Sequence, residues 1–182
     1  MSICLSPGEA APRIGRLLAG LKRSWVDLAV QQDATALADC PSLRAWLDGD
    51  RTESTRLMLG PGHLAGTRDF TTASRRNADA GVSLVRIHLV DEERQRRDSR
   101  CRGYLGWLRE LFRQINIPWG GETVHWLPVS ACERAGIALP RDDVAIFDDR
   151  MVLTSRYDAG QLISRTFHDS GEDQATLDWA RA

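Results

Sequence analysis

Arg86 and His88 stand two residues apart inside Val82-Ser83-Leu84-Val85-Arg86-Ile87-His88-Leu89-Val90, an otherwise apolar run. Charge in such a strand is costly unless it is paired. Glu122, in Gly121-Glu122-Thr123-Val124, is the natural partner, because that segment reads as a neighbouring strand. The pattern fits either a buried structural Arg–Glu pair or the floor of a pocket for an anionic ligand. The structural reading is preferred.

Asp148-Asp149-Arg150 places two carboxylates beside a base. That grouping could hold a metal or do acid–base work. It is also what a turn looks like when its Asp side chains cap backbone N–H groups, and the turn is the preferred reading. Arg94, Arg96, Arg97, Arg100 and Arg102 could neutralise phosphates and so bind nucleic acid without reading its sequence. Asp91, Glu92, Glu93 and Asp98 lie among them and cancel much of that field, as on a solvated helix start. Tyr104, Trp107, Trp119, His125 and Trp126 gather between a helix and the next strand. Aromatic groups there could line a ligand pocket or stack on bases, though packing is their commoner use. Ser130 and Cys132 have no spaced His and Asp partners, so a Ser or Cys hydrolase is not supported.

The cysteines, Cys4, Cys40, Cys101 and Cys132, form no CxxC pair. His63, His88, His125 and His168 add no metal-ligand spacing. No metal and no cofactor is expected.

These residues need a scaffold, and its clearest part is Asp143 to Thr166. Val144–Phe147, Met151–Leu153 and Leu162-Ile163 are β-prone runs split by Asp148-Asp149-Arg150 and Asp158-Ala159-Gly160. That pattern predicts an antiparallel meander. Before it, apolar positions 14, 17, 18 and 21 predict a helix over 13–23, and Trp25–Val30 a strand. Ala34–Leu47 and Thr67–Ala80 read as helices, the second capped by Thr67 or Asp69. Gly60-Pro61-Gly62 sits in a Gly-, Thr- and Arg-rich stretch, 48–67, read as a mobile loop. Tyr104–Ile115 is an amphipathic helix broken by Pro118–Gly121, 123–127 is a strand, and Ser130 caps a short helix. A helix over 173–182, with Leu177 and Trp179 on its apolar side, closes the chain, and residues 1–12 read as a loose lead-in.

The predicted class is therefore mixed α/β, a sheet with helices on its faces and an antiparallel C-terminal meander. One domain is expected over 1–182, with a helical part to residue 50, a loop over 51–66 and the α/β core from 67 onward. A net charge of −1 calls for neither nucleic acid nor membrane. Of 24 Lys and Arg residues only Lys22 is a lysine, which reads as codon bias in a GC-rich genome. No apolar run is long enough for a transmembrane helix and no leader is visible, so a cytoplasmic protein with reduced thiols is expected.

The segments GVSLVRIHLV, YLGWL, GETVHWLP, GIALPRDDVAIFDDRMV and YDAGQLI, in this order, resemble a family of small actinobacterial proteins of unknown function. The resemblance covers about 75–180, and 13–50 more loosely. It implies a companion of a helix-turn-helix regulator. More distantly, the helix-strand order around Gly-Glu-x-Val and Phe-Asp-Asp-Arg resembles one half of a phospholipase D-like fold. Catalytic members of that fold use His and a Lys two residues later on phosphate. Here Gly20 stands two places before Lys22, so no His-x-Lys exists. The expected function is that of a non-enzymatic regulatory or interaction protein that binds a partner regulator or a small ligand. The alternatives are an enzyme of small-molecule metabolism built on Arg86, His88, Glu122, Asp148 and Asp149, and direct nucleic-acid binding through the 94–102 arginines.

Overall fold

The β-prone runs predicted from sequence become strands of one mixed sheet. The computed structural model describes residues 2–30, 40–158 and 161–169, without the side chains of 65–67. Its strands are β1 (Ile3–Leu5), β2 (Ser24–Ala29), β3 (Ser83–Val90), β4 (Thr123–Pro128), β5 (Asp143–Phe147), β6 (Met151–Asp158) and β7 (Gln161–Asp169), in the order β1-β7-β6-β5-β2-β3-β4. β3 runs parallel to β2 and to β4, joined by helical crossovers. β5, β6 and β7 are the predicted antiparallel meander, and β5 closes antiparallel on β2.

The helices are α1 (Pro7–Gly20), α2 (Pro41–Leu47), α3 (Arg51–Met58), α4 (Pro61–Asp79), α5 (Glu92–Arg97), α6 (Ser99–Leu111), α7 (Ile117–Gly120) and α8 (Val129–Arg134). One core packs α1 and α4 on the sheet through Ala10, Leu18, Trp25, Leu84, Phe147 and Phe167. A second gathers α2, α3 and α6 around Leu43, Met58, Leu105, Trp107 and Phe112. A small third cluster, Val144, Ile146 and Val152, lies on the other face of the sheet.

Several local expectations are corrected. The lead-in 1–12 holds β1 and the start of α1, where the Glu9 carboxylate accepts the Ser6 N–H at 3.0 Å. The stretch read as a mobile loop, 48–67, is mostly helical. Asp50 caps α3 by accepting the Glu53 N–H at 2.9 Å, and Gly60-Pro61 starts α4 with proline at its first position. Thr67 and Asp69 are therefore inside that helix, not its cap. Pro118 does not break the helix after α6. A π-helical turn, Phe112–Asn116, carries the chain into α7, and Gly121, with φ of 72°, ends it. Ser130 is not a cap. Its hydroxyl donates to Glu92 Oε1 at 2.6 Å and ties α8 to α5. Of the helix predicted over 34–47, Pro41–Leu47 is present. Its residues 34–39, and the closing helix 173–182, lie outside the described residues.

Candidate functional site: a cavity between sheet and helices

Strand alternation decides what faces the helices. Trp25, Asp27 and Ala29 of β2 share a face with Arg86 and His88 of β3, Asp143, Ala145 and Phe147 of β5, and Ser155 and Tyr157 of β6. Asp27 is in register with Arg86, and Ala29 with His88. Above them stand α1, α4, α6 and the π-helical turn. The space between measures about 870 Å³ and is lined by both layers.

Register explains the charge pattern. Arg86 Nη1 donates to Asp27 Oδ2 on the neighbouring strand. Arg86 Nε donates to Glu122 Oε2 at 3.0 Å, so the pair predicted between Arg86 and Glu122 is present. The Glu122 side chain is fully buried, and it also accepts from Asn116 Nδ2 at 3.0 Å. The guanidinium lies 4.8 Å from the Trp25 ring and 5.4 Å from that of Phe112. Burial works against its charge, but Asp27 and Glu122 outweigh burial and hold Arg86 above its ordinary value.

His88 contrasts with this. It is 5% exposed, stacked on Trp126 at 4.8 Å and tilted against Phe112 at 5.0 Å. Among the described residues, neither ring nitrogen has a hydrogen-bond partner. Burial, with Arg86 adding to it, pushes the imidazole down to about 3. It is neutral at physiological pH. Across the sheet, Asp143 accepts the Val30 N–H at 2.7 Å and the Tyr157 hydroxyl at 2.9 Å. Burial and the Asp143 charge push the Tyr157 phenol well above its ordinary value, so it stays a donor. A family described as a domain of unknown function, DUF6879, matches residues 12–181.

The chain belongs to the DUF6879 family. Among solved structures it is similar to TrmBL2, described as an archaeal chromatin protein that shows a novel mode of DNA binding. That similarity has a TM-score of 0.48 and 8% identity over 99% of this chain and 48% of that one, so this chain spans about half the length of that protein. No curated protein matches the chain.

In this DUF6879 chain, Arg86, His88 and Tyr104 line the cavity together. Glu122 and Trp126 stand one layer behind, holding Arg86 and His88. The other predicted site residues fall elsewhere. Trp107 is buried in α6 and donates its Nε1–H to Ser42 Oγ at 3.2 Å. Asp148, Asp149 and Arg150 form the β5–β6 turn and are absent from the cavity wall. Asp148 and Asp149 have φ of 52° and 56°, as a type I′ turn requires. The Asp148 carboxylate accepts the backbone N–H groups of Lys22, Arg23 and Ser24 at 2.7–3.1 Å. The aromatic gathering also divides: Trp119 is 48% exposed on α7, and His125 points away from His88 on β4.

The 94–102 arginines lie on α5 and the start of α6, where Arg94 pairs with Asp98 at 3.9 Å and Arg97 with Glu93. Arg102 donates to the Gln95 carbonyl at 3.0 Å. Arg96 and Arg100 are exposed on the same two helices.

Sequence reasoning missed Asp27, Asn116, Asp143, Tyr157 and Arg165. Asp27 carries the same signal as Arg86, a lone charge in the apolar run Trp25-Val26-Asp27-Leu28-Ala29-Val30. Among the described residues no group of His, Cys, Asp and Glu has the arrangement of a metal site, and no helix is long and apolar enough to cross a membrane.

Proposed function

We propose that this DUF6879 domain is a non-catalytic, ligand-binding module of regulatory type. A small organic molecule occupies the cavity, and a partner protein, for which a helix-turn-helix regulator is the candidate, responds to the occupied form. One observation carries this reading: a space of about 870 Å³ walled by aromatic rings and a few fixed polar groups. Sites for small molecules have this size and character. The chemistry of the wall supports binding over catalysis. Arg86, Asp27, Glu122, Asp143 and Tyr157 are engaged with one another or with backbone. His88, held near 3, is a feeble base at neutral pH. The missing His-x-Lys fits the same reading, since a phospholipase D-like half without it has neither nucleophile nor phosphate clamp. The regulator as partner rests on the family resemblance.

The test is a thermal-shift screen of the full chain against metabolite extracts and a compound library, with hits measured by calorimetry. A ligand at about a hundred times its Kd should stabilise the fold by roughly 2.7 kcal/mol. The variant Ala73→Phe fills the cavity from α4 and should remove that effect while remaining folded. A screen without a stabilising compound, or a hit that Ala73→Phe still binds unchanged, would refute the reading.

A further inference from the structure

Most polar groups on the cavity wall already have partners. Arg86 lies between Asp27 and Glu122, Asn116 donates to Glu122, and Asp143 accepts from the Val30 N–H and the Tyr157 hydroxyl. The ring nitrogens of His88 are buried and shielded from the cavity. What stays open is gathered on one pair. Ser155 of β6 and Arg165 of β7 stand directly opposite in register, on the face that lines the cavity. Side chains so placed have Cβ atoms about 5 Å apart. Ser155 is 8% exposed, and its hydroxyl has no hydrogen-bond partner among the described residues. Arg165 is half-buried, and among the described residues its guanidinium makes neither an ion pair nor a hydrogen bond. Its Nε is buried, so a ligand in the cavity meets the Nη1–Nη2 end. The β-bulge at Arg156/Tyr157 lies beside this pair, and bulges re-aim side chains next to sites.

The pair selects a ligand by its chemistry. A guanidinium and a hydroxyl both donate, and the planar fork of arginine matches the two oxygens of a carboxylate. A part-buried cation without a counter-ion and a buried hydroxyl without a partner are each costly, and one carboxylate answers both. The nearby negative charge on this wall limits the ligand to one charge. Asp143 stands two strands from Arg165, in register with Ser155, so about 10 Å of backbone separates it from the pair. Coulomb attraction falls with distance, so a carboxylate touching Arg165 gains more than Asp143 takes away. A phosphate dianion would bring a second charge with no cation to meet it. Arg13 of α1, 4.6 Å over the Phe167 ring, adds to the positive side two residues along β7. The rest of the wall is apolar, with Ile14, Phe147, Leu153 and Leu162 among its residues.

We infer that the cavity takes a monocarboxylic acid with an apolar body, its carboxylate held by the Arg165 guanidinium and the Ser155 hydroxyl. This rests on the ligand-binding reading and deepens it. Calorimetry on the full chain at pH 7 compares 2-naphthoate with 2-naphthamide, alike in shape and different in charge. The carboxylate should bind at least about tenfold tighter. Arg165→Met should weaken naphthoate by about tenfold or more, leave naphthamide unchanged and keep the wild-type Tm, since Arg165 holds no other group. Arg165→Lys keeps the charge and loses the fork, so its affinity should fall between the two. Ser155→Ala should weaken naphthoate about fivefold. Naphthamide binding as tightly as naphthoate, or naphthoate affinity undiminished in Arg165→Met, would overturn the inference. 2-Naphthyl phosphate binding tighter than naphthoate would overturn the restriction to one charge. Failure of naphthoate to bind would overturn the ligand class, and the extract screen with Ala73→Phe then decides separately whether the cavity is a site at all.

Discussion

Replacing Arg86 by Met is the sharpest probe of the sheet's polar centre. The Met side chain is of similar reach and fills the space against Trp25 and Phe112, so packing is largely kept. What is lost is the cation held between Asp27 and Glu122. The Arg86 side chain is 15% exposed, Asp27 16% and Glu122 0%. The variant thus leaves one carboxylate fully buried and another nearly so, with Asn116 Nδ2 as the one remaining side-chain donor to Glu122 among the described residues. Breaking a buried pair from one side costs about 3–5 kcal/mol. For a chain of this length each kcal/mol moves Tm by roughly 2–4 °C, so a fall of about 6–20 °C is expected by calorimetry. Adding Glu122→Gln removes one orphaned charge. The double variant should recover roughly 1–3 kcal/mol of the loss, a coupling read from the complete mutant cycle. A fall in Tm under about 2 °C for Arg86→Met, or strict additivity of the two substitutions, would show that the cluster is not the interlocked unit described.

Other outcomes are expected. In Asp148, burial raises the carboxyl, but the N–H groups of Arg23, Ser24 and Lys22 outweigh it and hold its pKa below the ordinary value. Its contribution is present above the unfolded value near 4 and is lost as pH falls through the folded one. Asp148→Asn, which tolerates the positive φ, should cost about 1 kcal/mol at pH 7 after discounting for solvent screening, a difference from wild type that disappears in strong acid. Cys40 should alkylate with iodoacetamide along a midpoint of about 7. There burial, which raises the thiol, is outweighed by hydrogen bonding to His63, Ser42 and the Leu43 N–H. Mass spectrometry should show it labelled ahead of Cys101 and Cys132, which are 3% and 2% exposed, and slowed at pH 7 by His63→Ala. Gly121→Ala should destabilise by about 1–3 kcal/mol, since φ is 72° and the new Cβ would fall 2.6 Å from that of Ala78; an unchanged melting curve would contradict that geometry.

The sheet is legible in the sequence because its strands carry their own signals. The apolar run at 82–90 and the Asp- and Gly-marked turns at 148–150 and 158–160 need no distant contact to be read. The Arg86–Glu122 pair is legible for a related reason, since a lone charge in an apolar strand requires a partner. The helical stretch at 51–66 is not. Its residues are polar and Gly-rich, and the helices form because Asp50 and Pro61 start them and Met58 is buried against Leu43 and α6. Ser6-Pro7-Gly8-Glu9 does carry a local capping signal for α1, which the small, proline-containing composition of 1–12 obscures. The far wall of the cavity is hidden by register. Tyr157 pairs with Leu162 but Arg156 with Ser164, a bulge that leaves Ile163 over. That extra residue turns Leu162 onto the same face as Arg165, which strict alternation along 161–169 forbids.

β2 sits at the middle of the sheet, yet both its neighbours come from far along the chain: β3 begins about 60 residues later, and β5 about 120. The cavity floor is therefore stitched from both ends of the sequence. During synthesis β2 must wait, unpaired, until residues 83–90 have emerged, and its other edge stays open until residue 147 has. Such long closures set slow folding and prolong the exposure of apolar strands. Refolding should be slower than the abundance of helix suggests, and substitutions along β2 should show in the rate of reaching the native state as well as in its depth.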